Sequence, residues 1–88
     1  MERTFTENTT LTSEDYHELR KYLCDKGFKE NRTNRFRLDG MIVTLEKGIF
    51  ASGKVADYSI SMRYLEINQL VREVIDRIKL VSKGKGTD

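Results

Sequence analysis

Gly48 and Gly53, with four residues between them and Lys54 directly after, give GIFASGKV the glycine spacing of a phosphate-binding loop. Such a loop cradles phosphates with backbone N–H groups and a lysine. It also needs a hydroxyl after the lysine to hold magnesium, and a helix whose N-terminus faces the anion. Val55 supplies no hydroxyl, and the VADYSISMRY that follows alternates as a strand does, so both glycines are expected to serve turns. His17 and Cys24 are the chain's one histidine and one cysteine. Seven positions apart on one predicted helix, they lie about 10 Å apart along its axis, too far to share the hydrogen bond of a nucleophile and its base. A single cysteine also leaves no internal disulfide and no cysteine-based zinc cluster. Glu14, Asp15 and Glu18 crowd the start of that helix, where the dipole already favours acids. These residues assemble no catalytic constellation, metal site or cofactor site, and the chain is expected not to be an enzyme.

The remaining chemistry is cationic. FKENRTNRFRLDGM concentrates Lys29, Arg32, Arg35 and Arg37 around Phe36. Strand alternation puts Arg35 and Arg37 on one face, opposite Phe36 and Leu38, and Arg63 falls on the outward parity of DYSISMRY. A row of arginines beside exposed tyrosine can hold a phosphate backbone or stack on bases. The candidate binding surface is therefore Arg32, Arg35, Arg37, Lys54 and Arg63, with Tyr58 and Tyr64 as aromatic anchors. The same residues also answer a plainer need. A sheet covered on one face must solvate the other, and long basic side chains shield strand edges. Glu30, Asp39, Glu46 and Asp57 are available to neutralise that surface.

The elements that position these residues are legible in part. In LTSEDYHELRKYLCDKG, Thr12 is a cap with Asp15 three residues on, and Leu11 with Tyr16 has the spacing of a hydrophobic staple. Gly27 marks the stop. Tyr16, Leu19 and Leu23 form the buried stripe. Ile67, Leu70, Val71, Val74, Ile75, Ile78 and Val81 repeat at three- and four-residue spacing and predict a longer second helix, with Asn68 as a candidate cap. Glu73 with Arg77, and Arg72 with Asp76, are spaced to pair on its wet side. Between the helices, Tyr58, Ile60, Met62 and Tyr64 share one parity, and Asp39-Gly40 predicts a type I′ hairpin. Lys47-Gly48 and Ser52-Gly53 mark a turn and a bulge in an order the residues leave open.

The expected fold is α+β, a two-layer domain in α-β-β-β-α order: an antiparallel sheet of three or four strands with two helices on one face. Residues 1–10 form an N-terminal arm or an edge strand, 11–82 a single domain, and 83–88 a disordered tail. The order of elements between the helices is similar to that of double-stranded-RNA-binding domains and of small toxin RNases of that fold. Two departures stand out: the second helix opens without a lysine cluster, and no histidine follows Gly27-Phe28.

A net charge of +2, from 16 basic and 14 acidic residues, is too close to balance to announce a nucleic-acid binder by composition and leaves only a local patch to argue from. No apolar run is long enough for a membrane helix, so no membrane partner is expected. The lone cysteine makes the cytoplasm the expected location. An 88-residue chain buries only roughly 60–65% of its unfolded surface, so association is a natural way to bury more. The leading expectation is a small interaction protein, an adaptor or inhibitor of the size found in mobile elements. Its partner is a protein, with homodimerisation one form of this, and a nucleic-acid-binding regulator is the alternative.

Overall fold

Thr12 is both the last residue of strand β1 (Arg3–Thr12) and the cap of helix α1 (Ser13–Asp25) in the computed structural model, which describes residues 1–32, 34–52 and 55–86, with backbone alone for 49–52 and 83–86. The Thr12 hydroxyl oxygen accepts the Asp15 N–H at 3.1 Å. The Thr12 hydroxyl in turn donates to the Asp15 carboxylate at 2.9 Å. At the far end Gly27 has φ +105°. There Phe28 N–H donates to Leu23 C=O and Gly27 N–H to Cys24 C=O, both at 3.0 Å. These two bonds make a Schellman closure.

Five strands form where the sequence predicts three or four, and the order is β-α-β-β-β-β-α rather than α-β-β-β-α. Both additional strands lack the signal that marks the others. β1 is threonine-rich, with Phe5 and Leu11 its only large apolar residues, and β2 (Lys29–Arg32) has no apolar side chain at all. β3 (Arg35–Leu38), β4 (Met41–Ser52) and β5 (Val55–Tyr64) follow. The sheet is antiparallel throughout, in the order β1-β5-β4-β3-β2. The strand that precedes α1 thus pairs with the last strand, which the compared domain order does not contain.

One face of this sheet is the core. Phe36, Met41, Val43, Leu45, Ile60, Met62 and Tyr64 pack there with Leu19 and Leu23 of α1 and with Val71, Val74 and Ile78 of α2 (Gln69–Gly86), so both helices cover that face. Asn68 caps α2, accepting the Val71 N–H on Oδ1 at 2.8 Å. Ile67, expected to begin the apolar stripe, precedes the helix and is exposed, as is Leu65. The helical backbone continues to Gly86, into the segment expected to be a disordered tail. Glu73 forms its ion pair with Lys26 at the end of α1 instead of with Arg77 on its own helix. Its carboxylate lies 2.9 Å from Lys26 Nζ and accepts Gln69 Nε2 at 3.1 Å. Arg77, its expected partner, lies over the Tyr22 ring, 4.6 Å from the centroid.

The two glycine steps resolve differently. β4 and β5 are paired up to Ser52 with Val55, so the chain reverses there, and the register slips between Lys47 and Ala51, so Gly48 falls within the irregular stretch. A Cβ on Gly48 would stand 3.1 Å from Asp57 Cβ, a close approach that suits a residue without one. The phosphate-loop spacing therefore spans a hairpin, with a strand where a helix would be required; Gly53 and Lys54 lie outside the described residues.

Leu38 pairs with Met41 around Asp39-Gly40, as that dipeptide predicts. Positive φ, however, falls on Asp39 (+52°) and not on Gly40, so the turn is not type I′. Left-handed backbone costs an L-residue about 1–2 kcal/mol, and Asn and Asp bear it best. Asp39→Val is expected to lower stability by about 1–2 kcal/mol in chemical denaturation, with Asp39→Asn near neutral. Equal effects of the two would place the strain elsewhere.

Candidate functional site

The helix-free face of the sheet is laid out by cross-strand register, because directly opposed residues share a face. One row across the strands reads Thr4, Arg63, Ile42, Arg37 and Lys29. The next reads Thr6, Ser61, Thr44 and Arg35, with Arg32 opposite Arg35. The register shift between Glu30 and Arg32 is what brings Arg32 to this face. Neighbouring strands lie about 4.8 Å apart and same-face residues about 6.8 Å apart along a strand. Lys29, Arg32, Arg35 and Arg37 therefore form one cationic corner at the β2–β3 edge, and all four are exposed.

The rest of the face is mostly hydroxyl and amide. Thr10, Asn8 and Ser59 extend the rows toward the β4–β5 turn, with Glu46 opposite Ser59 and Asp57 opposite Thr10, and Ile42 is half-buried between Arg63 and Arg37. Arg63 is the one expected surface arginine that is engaged. Its Nε and Nη2 donate to the two carboxylate oxygens of Glu2 at 3.1 and 3.0 Å, which holds the guanidinium charged and raises its pKa further. Among the described residues none of Lys29, Arg32, Arg35 and Arg37 has an ion-pair partner within 4.0 Å. Arg32 and Arg35 line a depression of about 430 Å³ with Asn34, Thr44, Glu46 and Lys47.

The tyrosines are corrected by the structure. Tyr64 is buried on the core face, and Tyr58 is half-buried there, its ring stacked on Tyr16 with centroids 5.2 Å apart. Their shared parity with Ile60 and Met62 places them there, so they offer no aromatic anchor to the cationic face. Lys54 lies outside the described residues.

A polar node, missed in the sequence, joins α1 to the sheet at that stack. The Tyr16 hydroxyl donates to Asn34 Oδ1. Asn34 sits at φ +68° after β2; its N–H donates to Glu30 Oε2 at 3.1 Å, and its C=O accepts Leu45 N–H at 2.8 Å. Glu30 in turn meets Arg20 Nη2 at 2.5 Å. The Asn34 N–H, then Arg20, hold the Glu30 carboxyl below the usual glutamate range. Burial pushes the Tyr16 and Tyr58 hydroxyls up. A raised phenol is a weaker source of phenolate at neutral pH, so this node orients elements and has no activated nucleophile. His17 packs edge-on against Tyr16 and Cys24 is exposed on the same helix. Among the described residues no three His, Cys, Asp or Glu side chains converge as a metal site needs, and no helix is long and apolar enough to cross a membrane.

The two edges of the sheet differ in kind. β2 is a four-residue strand carrying Lys29, Glu30 and Arg32 and a register shift. Short length, charge and irregular pairing are the devices that stop edge strands from accepting another strand. β1 is neither short nor irregular, and it is lightly charged. It runs ten residues in unbroken register with β5, has no proline, carries charge only at Arg3 and Glu7, and among the described residues no strand pairs with its other side.

Comparison with protein-family models, curated proteins and solved structures finds no match to this chain.

Proposed function

We propose that this chain is a non-enzymatic interaction protein that docks by strand addition at the free edge of β1. The contrast between a guarded β2 edge and an unguarded β1 edge carries this reading. Strand addition draws affinity from main-chain hydrogen bonds and specificity from alternate side chains, and β1 presents a full row of both. The long apolar face of α2, the other candidate for docking, is spent on the core: Val71, Val74 and Ile78 are fully buried.

Blocking the edge tests it. Thr6→Lys with Thr10→Lys, both on the open face of β1, are expected to leave the circular dichroism and the melting temperature within a few degrees of wild type. They are expected to remove the proteins that the immobilised chain retains from a cell extract. Retention that survives these changes but is lost with Arg35→Glu/Arg37→Glu would move docking to the cationic corner.

That corner supports a second reading, phosphate-backbone binding, because register gathers four cations that have no ion-pair partner among the described residues, next to several hydroxyls. Arginine, lysine, serine and threonine are the usual phosphate contacts, and Tyr58 and Tyr64 lie on the opposite face, which favours backbone over base contacts. Titration with mixed-sequence DNA and RNA at several salt concentrations tests this. Binding is expected to weaken steeply with salt, and Arg35→Glu/Arg37→Glu to abolish it. No binding at low salt removes this reading.

A further inference from the structure

From the sequence of β1 itself we infer that the strand added to its free edge is β1 of a second copy, antiparallel and centred on Asn8. This rests on the strand-addition reading above and names its occupant. An antiparallel strand is read against its own reverse, so self-pairing leaves a palindrome in the sequence. Residues 4 to 12, TFTENTTLT, are nearly one: Thr4 matches Thr12, Phe5 matches Leu11, Thr6 matches Thr10, and Asn8 is the centre.

The register follows from the faces. Opposed residues share a face, so a continuous sheet pairs odd positions with odd and even with even; a one-residue slip would turn Phe5 and Leu11 to the open side. Centring on Asn8 sets Phe5 against Leu11 of the second copy on the helix side and Glu7 against Thr9. On the open side it gives threonine pairs, which are favourable cross-strand neighbours. Centring on Glu7 would oppose two carboxylates, and centring on Thr9 would set Glu7 against the buried Leu11. Asn8 is the centre that avoids both. Phe5 is only half-buried in the single chain, with Lys79 Nζ 5.6 Å from its ring centroid, and so retains surface for the second copy to cover.

The assembly is closed. Both β1 edges are used up in one two-fold contact, and the outer strands of the ten-stranded sheet are the two guarded β2 strands, so growth stops at two.

Sedimentation of the full chain reads the state directly. Twice the 10.3 kDa chain mass is expected, and Asn8→Lys, which opposes two ammonium groups at the two-fold axis, is expected to give the single-chain mass with unchanged circular dichroism. Cross-linking reads the register. In a Cys24→Ser background, Asn8→Cys is expected to join two copies under mild oxidation, since opposed Cα atoms lie about 4.5–5.5 Å apart, within disulfide reach. Glu7→Cys is not expected to do so. A monomer at millimolar concentration overturns the second copy as occupant. It leaves strand addition standing if Thr6→Lys/Thr10→Lys still abolishes retention of other proteins. A dimer that Asn8→Lys leaves intact lies on another surface and overturns the proposal, and a Glu7→Cys cross-link in place of the Asn8→Cys one overturns the register.

Discussion

Phe36→Ala is expected to lower stability by about 3–5 kcal/mol, the range for truncating a buried aromatic. Small domains hold about 5–15 kcal/mol in all, so much of the margin goes with one ring. The size of the effect follows from β3, which has only four residues and sends two inward: Phe36, fully buried, and Leu38, half-buried. Its cross-strand partner on β4 is Val43, also fully buried, whereas on the β2 side it is Glu30, which offers no apolar atoms to close the gap beyond its stem. The cavity therefore has little to collapse into it. Urea unfolding is expected to show a lower midpoint with unchanged slope, while Arg35→Ala and Arg37→Ala, on the same strand but facing out, stay within about 0.5 kcal/mol of wild type. A loss below 1 kcal/mol for Phe36→Ala would mean that the ring does not fill the core as described.

Gly27→Ala carries the second large effect, about 1–3 kcal/mol, and the cause is of a different kind. A Cβ at this position would meet nothing closer than Leu38 Cδ2 at 3.7 Å, an ordinary contact. The cost lies in the backbone. At φ +105° any L-residue is strained, and relaxing φ would break the two bonds that close α1 onto Phe28. Gly27→Val is therefore expected to cost about as much as Gly27→Ala with a modest addition for β-branching, and Gly27→Asn less than either. If the loss grows steeply with side-chain volume, steric contact and not conformation is responsible.

Those two positions show why some of the fold was legible and some was not. Gly27 could be read because a helix stop is a local event, and Thr12, Asn68 and Asp39-Gly40 are local in the same way. The alternation of β3 to β5 was legible because one face is solidly apolar. β1 and β2 gave no such signal: β2 has no apolar side chain, and β1, although it packs against α2, is threonine-rich with only Phe5 and Leu11 large and apolar. Their partners, β5 and β3, are what make them strands. Tyr58 and Tyr64 were read on the correct parity but assigned to the wrong environment, because a tyrosine is at home in a core margin as well as on a surface. Asn34 was invisible for another reason: its role depends on Tyr16, Glu30 and Leu45, which only the assembled fold brings together. The cationic corner was legible as a cluster of residue types, but its layout across β2 and β3 is a matter of register, and the shift that recruits Arg32 leaves no mark in the sequence.

The pairing of β1 with β5 also sets an order in time. Ser52 and Val55 close the β4–β5 hairpin from three positions apart, whereas Thr12 and Val55, the innermost β1–β5 pair, are 43 positions apart. The larger loop is the more costly to close, and the hairpins shorten it once they exist. On a ribosome adding about 5–20 residues per second, β5 follows β1 by several seconds. Throughout that interval β5 is not there to pair with β1. When β5 arrives it fills one side, and the nascent strand that has waited longest for a partner enters the finished domain still lacking a second.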